Sequence, residues 1–428
     1  MSTGAVPATM DCVSTPWHLM TRVAFRFCVV YFGLFCLLFA QIVFVYAGVL
    51  ARLLPADAVI WQLTLIEPAL TWVGQHVFGV HAVLHRDSGS GDQAVIWVML
   101  FVIVVIAMLA TAVWSVLDRH RPDYTRLHAW FCVFLRLCLG GQLLFYGIAK
   151  VIPTQMPAPP LAALLQPFGE LTPASVLWLQ VGASLPYEIA LGTVELVAGL
   201  LLFWNRTATL GALLAAMAMA QVFLLNLSYD VPVKILSSHL LLLSMFLLAP
   251  QARRLADLLI LQRPAQAATQ PPLFADARRN RLAAAVVAVL GVWALAGCLV
   301  SGVAAWRDYG GGRAKPELYG IWEVTDPGVE DSDWRRVVFD APGVLTYQRV
   351  DGALRDAPIS VEPDGTIRAD GLQLRPLRQD PDRLELDGRI ADRPLTLRLQ
   401  RVDPQSFPLY GNGFRWVQDY PRFAGQIN

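Results

Sequence analysis

The sequence predicts an α-helical multi-pass membrane bundle of about seven transmembrane helices followed by a C-terminal antiparallel β barrel. Three observations carry this. First, 55% of the 428 residues are hydrophobic and only 16% are charged, whereas soluble chains carry about a quarter charged residues. Second, apolar runs recur at about the 20-residue length that crosses a bilayer as a helix. Third, of the 33 acidic residues, 13 lie in residues 1–305 and 20 in the remaining 123, so the solvent of the chain changes near residue 305.

The runs fall near 23–50, 94–117, 129–151, 186–204, 208–227, 235–250 and 282–305. Each is read as a helix because the hydrocarbon core offers no water to satisfy backbone groups. The sixth is short and extends toward Leu261 as an interfacial helix. Residues 58–84 are apolar but carry Glu67, Pro68, His76 and His81. They are read as an amphipathic helix lying on or dipping into the membrane. The first apolar run starts too late and runs too long for a cleavable signal, so it stays as a span.

Orientation follows from basic residues, which collect on the cytoplasmic side. With the N-terminus cytoplasmic, Arg22, Arg26, Arg119, Arg121, Arg126, Arg206, Arg253, Arg254, Arg263, Arg278, Arg279 and Arg281 fall inside. Arg52, Arg86, Lys150 and Lys234 fall outside. The implied location is the cytoplasmic (inner) membrane of a bacterium. The domain reading is a membrane bundle over 1–261, a cytoplasmic linker over 262–281 rich in Pro, Gln, Ala and Arg, a last span over 282–305, and an extracytoplasmic β domain over 306–428.

In that last domain the segments RRVVFD, VLTYQRV, PISVEP, TIRADGLQLRPL, RLELDGRI and PLTLRLQRV alternate apolar and polar residues. The pairs Asp351-Gly352, Asp364-Gly365, Asp370-Gly371 and Asp387-Gly388 separate or flank them, the tight-hairpin signal. An antiparallel meander closed into a barrel also removes the edges that invite aggregation. Gly320-Ile321-Trp322 at the start, with Arg398 or Arg401 on the last strong strand, resembles the G-x-W and closing Arg of lipocalin-like barrels.

Several function classes lose support. A net charge of +1 without a basic stripe speaks against nucleic acid. The six cysteines, Cys12, Cys28, Cys36, Cys132, Cys138 and Cys298, form no CxxC pair, which leaves dithiol chemistry and a zinc site without a motif. No metal ligands are assigned; His76 and His81 are five apart, off one helix face. Neither a P-loop nor a G-x-S-x-G elbow is present.

Ionisable groups inside spans cost several kcal/mol unless paired or wet, so each is a functional candidate. They are Arg136, Lys150, Glu188 and Glu195, and, around the fifth-to-sixth turn, Asn226, Asp230, Lys234 and His239. Glu188 and Glu195, seven apart, share one helix face. Asn226 precedes Asp230 by four, and the Tyr229–Lys234 turn brings a carboxylate and an ammonium together. Only three lysines occur. Two at outer helix ends suit an amine that can lose its proton on burial; snorkelling to the interface is the other reading. Asp230–Lys234 as a structural pair and Glu195 as interhelical hydrogen-bond glue stay open beside the functional readings. His239 is read as a ligand or proton carrier or as a packing residue. Gly89-Ser90-Gly91-Asp92 offers backbone N–H groups to an anion, or an N-cap for the second span through Ser90 or Asp92.

Arg136-Leu-Cys-Leu-Gly140 through Phe145-Tyr-Gly-Ile-Ala-Lys150, then Gly192-Thr-Val-Glu195-Leu-Val-Ala-Gly199, Gly211-Ala-Leu-Leu214 and His239 onward resemble the DoxX/DoxD-like integral membrane family over roughly 130–260. The resemblance implies a four-helix core, 129–261, found beside redox partners including a thiosulfate:quinone oxidoreductase. The segment ending in Lys150 is also similar to the lysine-bearing segment of vitamin K-dependent carboxylase-like domains. That likeness implies a catalytic base at Lys150, although the other landmarks of that group are absent from this sequence.

The expected function is binding of a quinone-like or lipidic small molecule near the outer face, with Lys150, Glu188, Glu195, Asn226, Asp230, Lys234 and His239 at the site; the family resemblance implies a redox-associated subunit. The alternative is a non-enzymatic envelope protein whose β domain binds a protein partner. The lipid bilayer is a partner in both readings, and nucleic acid in neither.

Overall fold

The computed structural model describes residues 16–39, 41–265, 271–326, 333–390, 393–411 and 413–419. Cys12 and the centre of the expected linker, 266–270, lie outside them. The chain folds as two compact units: a helical unit, running to Ile152 and resuming over Ile189–Val303, and a β unit made of Pro153–Glu188 and the chain from Ala304 onward. The β domain is therefore not only the C-terminal piece, because the connection after the third long helix folds with it.

Among the described residues seven helical segments are long and apolar enough to cross a membrane. They are α1 (Leu19–Leu38), α4 (Ala94–Leu117), α5 (Thr125–Val151), α7 (Leu185–Leu202), α8 (Ala208–Ser228), the run Lys234–Leu259, and α11 (Ala277–Asp308). The sixth run is two helices, α9 (Lys234–Leu248) and α10 (Ala252–Leu259), joined by a 3-10 turn at Ala249–Gln251 that contains Pro250. Between α1 and α4 lie the short α2 (Gln41–Phe44) and α3 (Trp61–Val73); α6 (Pro173–Gly182) precedes α7.

Two boundaries differ from those the hydropathy suggests. The first run does not continue to residue 50: α1 stops at Leu38, and the chain resumes as α2 and a 3-10 helix over Val45–Leu53. At Gly48 φ is +58°, a conformation that interrupts a right-handed helix and that glycine alone adopts cheaply. The last helix begins at Ala277 rather than 282, taking up the end of the expected linker. Residues 58–84 do not form one helix: α3 gives way to a single π turn at Gly74–Phe78 that ends on Gly79 with φ +67°. Thirteen helical residues are too few to span a bilayer.

Within the helical unit α1 packs along α4 and α8 along α9. Phe35, Cys36, Ile42, Met99, Ile103, Leu135, Leu139 and Leu243 are buried together in its main core. Polar bonds fasten one end. Arg26, fully buried on α1, donates through Nε to the Tyr124 hydroxyl (2.9 Å), through Nη1 to Ser115 Oγ (2.8 Å) and through Nη2 to the Asp118 carbonyl (3.0 Å). The Tyr124 hydroxyl donates in turn to Asp118 Oδ2 at 2.9 Å and holds that carboxyl below its ordinary range. A sequence reading that counts Arg26 only as a positive end charge misses this.

The β unit is a nearly closed antiparallel meander of nine strands: β1 (Gly320–Asp326), β2 (Trp334–Phe339), β3 (Val344–Arg349), β4 (Leu354–Pro358), β5 (Ser360–Val361), β6 (Ile367–Ala369), β7 (Leu372–Asp380), β8 (Arg383–Ile390) and β9 (Arg393–Val402). The spatial order is β4-β3-β2-β1-β9-β8-β7-β6-β5. β4 and β5 are separated by Ile359 alone, so one bent segment pairs with β3 on one side and β6 on the other, and this bend brings the ends of the sheet together. Gly352, Gly365 and Gly371 make the turns at φ +92°, +83° and +64°. Asp387-Gly388 does not turn: both residues pair inside β8, where Gly388 leaves room for the Gln373 carbonyl of β7.

Alternation sets the barrel's two faces. Trp322, Val337, Phe339, Leu374, Leu386, Leu397 and Leu399 point into one core, with Trp334 stacked on Tyr347 at 4.4 Å. Ile321 and Val338, on the other face, are covered by Leu161 and Leu165 from the Pro153–Glu188 segment. Three hydrogen bonds fix that cover: Leu161 N–H to Asp340 Oδ2 (3.0 Å), Gln348 Nε2 to the Leu165 carbonyl (3.2 Å) and the Tyr410 hydroxyl to the Pro159 carbonyl (2.6 Å). Of the two arginines considered for closing the barrel, Arg401 lies opposite Trp322 with Nε beside Gly320, whereas exposed Arg398 pairs with Asp326 and Glu385.

Candidate functional site

The site grows from one helix seam. Along α5, Gly140 and Gly147 are seven apart; along α7, so are Gly192 and Gly199. A Cβ on Gly147 would lie 2.7 Å from Leu196 N and 3.0 Å from the Gly192 carbonyl, and one on Gly199 would lie 3.2 Å from the Gly140 carbonyl. The two helices run antiparallel, with Gly140 opposite Gly199 and Gly147 opposite Gly192. Absent side chains let the backbones nearly touch, which is how small residues promote helix association where the surroundings are apolar. The paired glycines of residues 140–147 and 192–199 are this seam.

Each end of the seam is polar. At one end Lys150 donates to Glu195 Oε2 at 2.6 Å, the two side chains only 6% and 4% exposed. The Lys150 ammonium also lies 5.6 Å from the Tyr146 ring centroid. The Tyr146 hydroxyl accepts from Gln41 Nε2 (2.9 Å); Gln41 Nε2 also reaches Gln142 Oε1 (3.3 Å), and Gln142 Nε2 returns to the Gln41 carbonyl (3.0 Å). Gln142, Tyr146 and Lys150 are four apart along α5 and so share one face. The result is a connected polar cluster inside an apolar bundle, holding an amine and a carboxylate at hydrogen-bond distance. Such a pair can pass a proton or be opened by a ligand that offers each charge a substitute partner. Removing one member alone is costly, because it strands a buried charge.

At the other end, buried Arg136 donates through Nε to the Leu202 carbonyl (2.7 Å) and through Nη1 to Asn205 Oδ1 (2.6 Å). Through Nε it thereby satisfies the Leu202 carbonyl, one of those that the last turn of a helix leaves without an intrahelical donor.

The remaining candidates do not join the Lys150 cluster. Glu188 is buried in the β unit, where its Oε1 accepts from the Met156 N–H at 3.0 Å. Asn226 donates to Ser237 Oγ (3.0 Å), bridging α8 and α9. Lys234 pairs with Asp230 (2.8 Å) and lies 3.7 Å from Asp92. His239 is sandwiched in aromatics, its ring centroid 3.8 Å from that of Phe35; Nε2 meets the Tyr31 hydroxyl and Nδ1 the Ile235 carbonyl, both at 2.7 Å. The carbonyl requires Nδ1–H, so Nε2 accepts from Tyr31, and both nitrogens are committed. His76 stacks on Trp72 on α3.

The Gly89–Asp92 segment is a cap, but not for the helix that follows it. Asp92 Oδ2 and Oδ1 accept from the N–H groups of Lys234 and Ile235, both at 2.9 Å, across separations of 142 and 143 residues, and the Gly91 N–H donates to the Pro232 carbonyl (2.8 Å). Asp92→Ala is expected to cost about 1 kcal/mol, the usual value of a lost N-cap. Hydrogen exchange should show faster opening of the first turn of α9 while the Lys150 cluster stays protected.

Sequence reasoning missed Gln41, Gln142 and the cap role of Asp92. Gln142 carried a legible signal, an amide within a span on the face of Tyr146 and Lys150. Gln41 carried none, because its partner is 101 residues away.

No family model matches the chain, and no solved structure matches it significantly. The chain belongs to the family of YwoB, an uncharacterized protein of Bacillus subtilis (strain 168), to which it is 31% identical over 128 residues that make up 28% of this chain and 75% of that protein.

Proposed function

We propose that this chain is a multi-pass protein of a bacterial cytoplasmic membrane that binds a quinone-like or lipidic small molecule at the Lys150–Glu195 pair. The N-terminus is cytoplasmic and the β unit extracytoplasmic, the arrangement that the uneven distribution of arginine supports. The observation that carries the reading is the buried cluster of Gln41, Gln142, Tyr146, Lys150 and Glu195. Charged groups in an apolar bundle are expensive and are kept where they act. The resemblance to DoxX-like proteins, whose members stand beside quinone-linked partners, supports the same ligand class. Asp230 and Lys234 are not needed for this site; Asp92 already accounts for their neighbourhood.

The test is mass spectrometry of the organic extract from gently purified protein. Wild type should carry a stoichiometric quinone or lipid. A Lys150→Met/Glu195→Met protein, which removes both charges together, should lack it. If wild type carries only bulk lipid, the small-molecule reading fails.

A second reading has its own support. The β unit, with its G-x-W start and Arg401 beside Gly320, resembles a lipocalin-like barrel, and we propose in this reading that it binds a protein partner. Under that reading the chain is an envelope interaction protein and the Lys150–Glu195 pair is structural.

A further inference from the structure

At the Arg136 end of the α5–α7 seam the helical unit holds two adjoining cavities of about 410 and 540 Å³. They share Asn205, Thr209 and Gln251 as a common wall. Each is within the size range of small-molecule sites. Arg136 lines the first, and Arg206 and Arg254 line the second; among the described residues no carboxylate lines either.

Two of these arginines are incompletely bonded. Arg136 is 5% exposed, and with Nε on the Leu202 carbonyl and Nη1 on Asn205 Oδ1 its Nη2 is buried without a hydrogen-bond partner. The Arg254 Nε is buried and unpartnered as well. A buried guanidinium N–H without an acceptor carries a desolvation cost that an anionic oxygen would cancel, and guanidinium forks match phosphate geometry.

The surroundings say what kind of molecule brings the oxygen. Apart from the arginines the walls are largely apolar, with Ala129, Val133, Leu247 and Val287 in the first cavity and Leu213 and Leu258 in the second. Arg254 sits on α10, a short helix with charge on one side and Leu255, Leu258 and Leu259 on the other, the last two exposed. That is the build of a helix lying in a membrane interface.

We propose that these two cavities form a binding site for the phosphate headgroup of an anionic phospholipid, with Arg136, Arg206 and Arg254 holding the phosphate and the apolar walls the first part of the acyl chains. The site is distinct from the Lys150–Glu195 cluster and does not depend on what that cluster binds.

The experiment is native mass spectrometry of the full-length protein in detergent. It is titrated in parallel with phosphatidylglycerol, with phosphatidylcholine of the same acyl chains, and with inorganic phosphate. Wild type should retain phosphatidylglycerol in preference to phosphatidylcholine. The Arg206→Gln/Arg254→Gln protein, altered away from the helix seam, should lose that preference by about tenfold. Arg136→Lys should weaken it too, since a lysine keeps the charge but not the fork, whereas Lys150→Met/Glu195→Met should leave it intact. Equal retention of both lipids, or retention unchanged in both arginine variants, would overturn the proposal. So would displacement of the lipid by millimolar inorganic phosphate, which would make the site one for a free anion.

Discussion

Lys150→Met alone, with Glu195 left in place, is expected to destabilise the helical unit by about 3–5 kcal/mol, the cost of stranding one member of a buried ion pair. Glu195→Met should cost a similar amount, for the same reason with the sign of the charge reversed. The double Lys150→Met/Glu195→Met protein should recover most of the loss, because two flexible apolar side chains replace two charges that had to be desolvated. Thermal or denaturant unfolding of the purified protein in one detergent measures all three. Recovery in the double variant with loss of a bound small molecule marks a site whose charges are kept for function. Recovery with no molecule lost marks a staple. Two single variants that are both silent would mean that water reaches the pair, contrary to side chains only 6% and 4% exposed.

The second large effect is expected in the β unit. Leu161→Asp places a carboxylate against fully buried Ile321 and Val338. Even Leu161→Ala, which only removes the packed side chain, should cost about 2–5 kcal/mol. A fragment of residues 313–428 by itself lacks Leu161, Leu165 and the Pro159 and Leu165 carbonyls that accept from Tyr410 and Gln348. Such a fragment should melt lower, and bind more of a hydrophobic dye, than the same fragment with residues 153–188 joined to it through a flexible linker. Equal melting temperatures for the two would show that the segment is an ornament on a barrel that stands without it.

These two predictions mark where the sequence was legible. Apolar runs and the change in acidic content announced the helices and the barrel because both follow from composition and short periodicities. Hairpin turns at Gly352, Gly365 and Gly371 were readable because the Asp-Gly pair encodes its geometry locally. Asp387-Gly388 has the same letters but pairs as strand, since the register of β7 and β9 outweighs a two-residue preference. Lys150 and Glu195 were readable one at a time as charges in apolar surroundings, and their pairing followed only from the α5–α7 register. Asp92, Gln41 and the Leu161–Leu165 cover were out of reach, because each acts on a partner about 100 or more residues away. Seven polar candidates were expected at one site. They divide instead among separate places in the fold, with Lys150 meeting Glu195 in one and Lys234 meeting Asp230 in another.

The cover over Ile321 and Val338 also has a clock attached to it. Pro153–Glu188 leaves the ribosome well before Gly320 does, and at ordinary elongation rates the delay is on the order of ten seconds. Throughout that interval Leu161 and Leu165 are made but have nothing to cover, so the nascent chain carries a sticky half-interface for as long as translation takes to deliver the strands. Slowed elongation anywhere between codons 189 and 320 lengthens the exposure without altering a single residue of the finished protein.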